Sequence, residues 1–137
     1  MTGWRIGYLA APAYIVEAIS KLQDHSTSCA TSISQKAALA ALSAPDDFSR
    51  SMALEFQKRR DYISERLKAI KKMSFVLPQG AFYLYADISA FGGDAYAFCQ
   101  HMLETEFVAI TPGLDFGRFQ AGHHVRFAYT QDLPRLE

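Results

Sequence analysis

A stripe of apolar side chains recurs at α-helical spacing through the middle of the chain. Its members are Met52, Phe56, Ile63, Leu67 and Ile70, with Arg59 as the only polar interruption. This period predicts one long amphipathic helix that runs from Phe48 to about Lys71. Pro45 ends the segment before it, and Asp46 or Asp47 can cap its first turn. A helix of this length must bury its apolar face, so it constrains how the neighbouring elements pack.

The segments before this helix are predicted to be mainly helical. Residues 4–10 alternate in polarity and predict a strand that stops at Pro12. Apolar residues then repeat at helical spacing over Ile15–Leu22, and an Ala-rich helix is predicted over Ser32–Leu42.

The segments after the long helix are predicted to be short strands with one further helix. The pattern predicts strands at residues 75–77, 81–88, 108–110 and 125–130, and a short helix at 94–104. The tail, residues 131–137, has the pattern of the start of another helix. We therefore expect an α/β chain in which a long connecting helix leads to an α+β small domain, with short strands flanked by helices. The domain boundary is placed near Arg50, between residues 1–50 and 51–137.

The charge balance and the apolar pattern exclude several classes of partner. Fourteen basic and fourteen acidic residues cancel, which predicts no general attraction to nucleic acid or to an anionic membrane. No apolar run is long enough to span a bilayer, and no basic stretch precedes a hydrophobic segment at the N-terminus. Cys29 and Cys99 lack CxxC spacing, which favours a reducing compartment. These features predict a soluble, cytoplasmic protein.

The histidines do not predict a metal site. His123 and His124 are adjacent, so in a strand their side chains would point to opposite faces. His25 and His101 have no carboxylate or thiol at ligand spacing beside them. The sequence also contains neither a GxSxG elbow nor a P-loop motif.

Two arginines lie in apolar settings near opposite ends of the chain. Arg5 alternates with apolar residues in GWRIGY, and Arg126 does so in VRFAYT, as in half-buried strands. A guanidinium is costly to desolvate unless it meets a fixed anion, and its planar fork pairs with carboxylate or phosphate through two hydrogen bonds. The anion can be an Asp or Glu of the fold or an anionic small molecule, and the residues alone leave both possibilities open.

Five segments of the chain form an ordered set. They are GWRIGY at residues 3–8, the long helix, PQGAFY at 78–83, TPGLDFG at 111–117 and VRFAYT at 125–130. Together they resemble the C-terminal part of class I/II aminotransferases, the fold-type I pyridoxal-phosphate enzymes related to aspartate aminotransferase. The resemblance covers essentially the whole chain. It implies that residues 1–50 are a remnant of the large cofactor-binding domain and that residues 51–137 form the small C-terminal domain.

The resemblance implies a role for each of the two arginines. By match to the family's motifs, Arg5 binds the phosphate of pyridoxal 5′-phosphate, and Arg126 holds the α-carboxylate of the substrate. Amino acids and 2-oxo acids are the implied substrates, and a homodimer is the implied assembly. Gly80 is expected to give its turn a conformation that larger residues resist. The loop with Gly113 and Phe116 is similar to a family loop that precedes the carboxylate-binding strand.

The catalytic lysine of the family's pattern is absent from the sequence, and so are the aspartate that pairs with the pyridine nitrogen and the aromatic residue that stacks on the cofactor ring. The Schiff-base lysine normally lies a few residues before the GWR segment, and the six lysines of this chain lie on predicted helices or at helix ends. The resemblance therefore implies a C-terminal fragment without a catalytic residue of its own, which we expect to be inactive alone. Two alternatives stay open. One is another fold-type I pyridoxal-phosphate enzyme, a lyase, decarboxylase or synthase, and the other is a non-catalytic dimerisation or interaction module.

Overall fold

The computed structural model describes residues 1–136, which divide into two units. The first unit comprises Met1–Asp46, and the second begins at Asp47. Within the described residues, no helix combines the length and the apolar character needed to cross a membrane.

The first unit contains two helices and an irregular segment that precedes them. Helix α1 spans Ala13–Ser26 and helix α2 spans Ser32–Ser43, which confirms both predicted helices. Thr2–Trp4 form a 3-10 turn. The hydroxyl group of Ser34, a buried residue of α2, donates a hydrogen bond of 2.9 Å to the carbonyl oxygen of Trp4. This bond holds the turn against α2.

The prediction of a strand at residues 4–10 is wrong. Residues 6–12 have no regular secondary structure, and the backbone of Arg5 is left-handed, with φ of 51°. A strand needs a neighbouring strand for its backbone N–H and C=O groups, and the described part of the first unit contains no strand. Tyr8 and Leu9 are exposed, so the alternation in the sequence does not mark a buried face.

The second unit combines helices with a four-stranded antiparallel sheet. Its helices are α3 (Asp47–Lys68), α4 (Ala95–Thr105) and α5 (Leu133–Leu136). Its strands are β1 (Ser74–Phe75), β2 (Tyr83–Asp87), β3 (Thr111–Pro112) and β4 (His124–Ala128). The strands lie in the order β1-β2-β4-β3, and every neighbouring pair is antiparallel. The long helix followed by short strands and helices confirms the expected fold class.

The hydrophobic core lies on one face of this sheet. Leu84 and Ala86 of β2 are opposite Phe127 and Val125 of β4. Leu84, Ala86 and Val125 are completely buried, and they form one cluster with Ile63 of α3. Because side chains alternate along a strand, the residues between them point away from the core.

The observed third strand begins later than the prediction of residues 108–110. Helix α4 ends in a turn where Phe107 is left-handed, with φ of 58°. The N–H of Val108 donates a hydrogen bond of 3.1 Å to the carbonyl oxygen of Met102. That N–H closes the helix and is not available to the sheet, and the pairing of this segment with β4 begins at Thr111.

Candidate functional site

Arg126 lies on the face of the sheet that points away from the core. This outer face is defined here by Tyr83, Tyr85, His124 and Arg126. Arg126 is opposite Tyr85 of β2 on one side and Thr111 of β3 on the other. Its neighbour Val125 points into the core, so alternation directs Arg126 outward. The predicted position of Arg126 within a strand is confirmed.

The guanidinium of Arg126 lies between two aromatic rings. Its central carbon, Cζ, is 4.1 Å from the ring centroid of Tyr83 and 4.0 Å from that of Phe116. Tyr83 belongs to β2, whereas Phe116 follows the 3-10 turn Gly113–Asp115. An arginine stacked on aromatic faces keeps the N–H groups at its edge available for hydrogen bonds. The rings of Tyr83 and Phe116 therefore cover much of the guanidinium plane.

No acidic side chain within residues 1–136 neutralises Arg126. The arginines that form ion pairs in this range are Arg59, Arg60 and Arg135. The Nε atom of Arg126 is buried and has no hydrogen-bond partner among the described residues. A buried charged donor without a partner is unfavourable, so the described residues alone leave the charge of Arg126 uncompensated.

The guanidinium opens into a cleft of about 440 Å³ on the outer face. The side chains of Tyr85, Phe116, Arg118, Phe119 and Arg126 line this cleft together with small residues. Two of these side chains are positively charged and none is acidic, which favours an anionic occupant.

Gly113 fixes the loop that carries Phe116. A Cβ atom at this position would lie 2.6 Å from the carbonyl oxygen of Ala121 and 2.8 Å from that of His124, and would also clash with the hydroxyl of Tyr85. The loop can approach the sheet this closely only because residue 113 has no side chain. The N–H of Phe116 then donates a hydrogen bond of 2.9 Å to the carbonyl oxygen of Gly113.

The expected role of Gly80 is not supported by its geometry. A Cβ atom at Gly80 would have no neighbour within 4 Å, and its φ does not lie in the left-handed range. The residue that adopts the left-handed conformation in this turn is Ala81, with φ of 58°. Its carbonyl oxygen accepts a hydrogen bond of 3.3 Å from the hydroxyl of Tyr129, a buried side chain. Burial also raises the pKa of that hydroxyl.

Arg5 lies in the first unit and is exposed. It follows the 3-10 turn Thr2–Trp4, and its Nη1 donates a hydrogen bond of 3.4 Å to the carbonyl oxygen of Thr2. The described residues provide no ion pair for Arg5. Its guanidinium therefore has N–H donors available for an anion. Arg5 lies in an irregular segment and not in the half-buried strand that was predicted.

Asp87 is the acidic residue at the end of β2, opposite His124 of β4. Its Oδ1 accepts a hydrogen bond of 2.8 Å from the backbone N–H of Ser89. This bond and the side chain of Ser89 hold the pKa of Asp87 below its ordinary value of 3.8, with smaller contributions from His124 and His123. The carboxylate thus stabilises the turn after β2 in its ionised form.

Stability is expected to fall when Asp87 is protonated. Because folding lowers the pKa of this carboxyl group, its contribution is present above the pKa of the unfolded chain and is lost as the pH falls through the folded value. We expect Asp87→Asn to lower the free energy of unfolding at pH 7 by at most about 1 kcal/mol, and to have less effect at pH 3. Urea unfolding at both pH values checks this, with Asp24→Asn on α1 as the control. An equal loss at both pH values would contradict it.

The histidines near the site bond to the backbone. His123 lies in the 3-10 turn Ala121–His123, just before strand β4. Its Nδ1 donates to the carbonyl oxygen of Gly93 (2.6 Å), and Nδ1 of His124 donates to that of Gln120 (2.9 Å). The ring of His124 stacks on Tyr85 at 4.9 Å. Among residues 1–136, no three His, Cys, Asp or Glu side chains are grouped so as to hold a metal ion.

The sequence did not identify Tyr83 and Phe116 as the rings around Arg126. Both lie within motifs that were recognised, PQGAFY and TPGLDFG. Tyr83 reaches Arg126 through the register of β2 and β4, and Phe116 does so through the Gly113 turn. The signal that could have found Tyr83 is the alternation of Tyr83 and Tyr85 with buried Leu84, which places two aromatic residues on the face of the arginine.

The family model "Aminotransferase class I and II" matches residues 1–133. An aspartate aminotransferase of Musicola paradisiaca is 43% identical over 119 residues, which cover 86% of this chain and 30% of that protein. A probable N-acetyl-LL-diaminopimelate aminotransferase of Bacillus subtilis is 41% identical over an alignment of 143 positions, which covers 100% of this chain and 36% of that protein. The chain thus spans about a third of the length of the curated relatives it matches.

Solved structures of aminotransferases also align with nearly the whole of this chain. The crystal structure of an aspartate aminotransferase from Thermotoga maritima aligns with a TM-score of 0.78 at 38% identity, over 99% of this chain and 34% of that one. An aromatic aminotransferase from Pyrococcus horikoshii aligns with a TM-score of 0.80 at 34% identity, over 99% and 36% of the two chains.

Proposed function

Because this chain belongs to the class I and II aminotransferase family, we propose that it is the C-terminal portion of a pyridoxal-phosphate-dependent aminotransferase. The complete enzyme would transfer an amino group between an amino acid and a 2-oxo acid. The observation that carries this proposal is the guanidinium of Arg126, which is held between two rings without an acidic partner among the described residues.

The role proposed for Arg126 is to bind the α-carboxylate of both substrates. A carboxylate can accept two parallel hydrogen bonds from the edge of a guanidinium, a geometry that fixes position as well as charge. The rings of Tyr83 and Phe116 prevent approach to the guanidinium plane. The same contact serves both half-reactions, since amino acids and 2-oxo acids share the carboxylate.

The role proposed for Arg5 is to bind the phosphate of the cofactor. The donor chemistry fits, because Arg5 is exposed, makes one long bond to a carbonyl oxygen and has no acidic partner among the described residues. A planar guanidinium suits a phosphate dianion. We further propose that residues 1–50 belong to the large cofactor-binding domain and residues 51–137 to the small domain.

Pyridoxal phosphate, when bound, withdraws electrons from the substrate Cα and so makes a bond to that atom easier to break. The residues of this chain would position the reacting groups. Arg126 would hold the carboxylate so that Cα has one orientation, and Arg5 would anchor the cofactor phosphate. Fixing the substrate carboxylate and the cofactor phosphate would make the reaction one between groups that are already oriented. The proton at Cα would be moved by the family's lysine, which none of the residues of this chain matches.

The remaining proposals concern assembly and location. Helix α2 is rich in Ala and leaves Leu39 and Leu42 exposed, which supports contact with a second subunit in a homodimer. Cys29 and Cys99 are free thiols, which supports a cytoplasmic location. Relatives named as aspartate aminotransferases support aspartate as the first donor to test.

An amino-donor screen on the complete enzyme tests the proposed function. Purified enzyme with pyridoxal phosphate would be assayed with 2-oxoglutarate and a panel of amino acids that begins with aspartate. We expect donor-dependent formation of glutamate in equal amount to the 2-oxo acid released. Release of CO2 or ammonia without amination of the acceptor would instead identify a decarboxylase or lyase on the same fold. Failure to bind the cofactor would favour a non-catalytic module.

A further inference from the structure

We propose that Phe116 and Tyr83 are positioning residues for the substrate carboxylate, because they hold the Arg126 guanidinium in a single plane. This inference rests on the proposed function and extends it to two side chains that do not themselves bond the substrate. Their contribution would be to restrict where the N–H groups of Arg126 point before the substrate arrives.

Two aromatic rings restrict the position of the Arg126 guanidinium. Ring centroids at 4.1 Å and 4.0 Å from Cζ are in van der Waals contact with the guanidinium. With the rings against the guanidinium plane, a ligand carboxylate would bond to N–H donors in that plane, where two donors can be parallel. Arginine has many rotamers in solvent, and stacking restricts them before binding, which is the advantage that preorganisation gives to a binding site.

Both rings are fixed by the backbone around them. Tyr83 is opposite Ala128 in the ladder of β2 and β4, and its ring also packs against Phe82 with centroids 4.6 Å apart. Phe116 is placed by the turn that begins at Gly113, where contact with the sheet leaves no space for a side chain. The rings come from separate elements, so the guanidinium is held from a strand and from a loop.

Core packing does not account for the position of Phe116. Its residue surface is 50% exposed, and a phenyl ring with this much solvent contact gains little from burial alone. Phe116 belongs to neither the buried core cluster nor the residues packed against it. Phe116 instead contacts the guanidinium of Arg126 in a positively charged cleft. Positioning of the substrate carboxylate accounts for this contact.

Substitution of Phe116 in the cofactor-loaded complete enzyme tests this inference. We expect Phe116→Leu to raise KM for both the amino acid and the 2-oxo acid about tenfold, equivalent to about 1.4 kcal/mol, while kcat changes by less than about twofold. Phe116→Tyr, which keeps an aromatic ring at this position, should leave KM within about twofold of the wild-type value. Phe107→Leu makes the same change at an exposed position after α4 and is the matched control. Tyr83→Leu removes the opposite ring and should raise KM in the same direction.

A double-mutant cycle separates positioning from general damage. If Phe116 acts through Arg126, Phe116→Leu should have little further effect on KM once Arg126 is already lysine. In the 137-residue chain itself, Phe116→Leu should speed exchange of the Arg126 Nε proton with water, measured by NMR, because that atom is buried in the wild type. This second measurement does not depend on catalysis.

The outcomes distinguish this inference from the proposed function. If Arg126→Lys raises KM but Phe116→Leu and Tyr83→Leu leave it unchanged, the positioning role is wrong and the carboxylate role of Arg126 stands. If Arg126→Lys also leaves KM unchanged, the assignment of Arg126 fails. A fall in kcat with unchanged KM in the ring variants would overturn the inference as well.

Discussion

Replacement of Arg126 by lysine is expected to raise KM for the amino acid and for the 2-oxo acid by roughly 10- to 100-fold, with a smaller effect on kcat. Hydrogen bonds to charged groups contribute about 1.5–3 kcal/mol each when both partners are in place. A lysine ammonium keeps the charge but loses the planar pair of donors and the stacking between Tyr83 and Phe116. Both substrates share the carboxylate, so both values should rise together.

Steady-state kinetics of the complete enzyme, with each substrate varied in turn, measures this effect. Arg66→Lys, at an exposed position of α3, is the matched control and should leave both KM values within about twofold of the wild type. A rise for only one of the two substrates would mean that Arg126 recognises something other than their common carboxylate. If neither value changes, Arg126 does not bind the substrate.

Substitution of Gly113 by alanine is expected to destabilise the second unit by about 2–3 kcal/mol. The new Cβ would lie 2.6 Å and 2.8 Å from two carbonyl oxygens. Because these atoms belong to the backbone, relief requires movement of the loop or of β4 and not a change of rotamer. The hydroxyl of Tyr85 would also clash with the new Cβ. Removal of this hydroxyl would leave the clashes with the two carbonyl oxygens unchanged.

Urea unfolding of the 137-residue chain measures the loss. Gly80→Ala is the matched control, because a Cβ there has no neighbour within 4 Å, and it should change stability by less than about 0.5 kcal/mol. In the background of Tyr85→Phe, Gly113→Ala should still be strongly destabilising. If Gly113→Ala and Gly80→Ala have the same effect, the close approach of this loop to the sheet is wrong.

Helices were the part of the fold that the sequence predicted well. The apolar stripe of α3 repeats for several turns, and Pro12 and Pro45 mark boundaries that local sequence determines. Strands β1 and β3 contain two residues each, which is too short for alternation to be recognised. Their positions depend on which neighbouring strand is available to them, and that is a property of the folded chain.

The geometry of the candidate site could be predicted from the sequence only in part. The position of Arg126 in a strand was predicted because regular alternation surrounds it in the segment VRFAYT. The rings around it were missed because Phe116 is brought there by a turn at Gly113 that a sequence pattern does not describe. Gly80 and Gly113 are equally prominent in the sequence, and only the distances around each one show which position excludes a side chain.

The register of β4 against β2 ties correct folding to the presence of the guanidinium in the cleft. A slip by one residue would turn Val125 outward and send Arg126 among the fully buried side chains. A charged group in that position would be far too unfavourable for the slipped state to persist. Folded molecules of this chain should therefore nearly all have Arg126 on the outer face of the sheet. A one-residue slip of β4 against β2 would then be observed as a smaller amount of folded protein. It would not be observed as folded protein with Arg126 in the core.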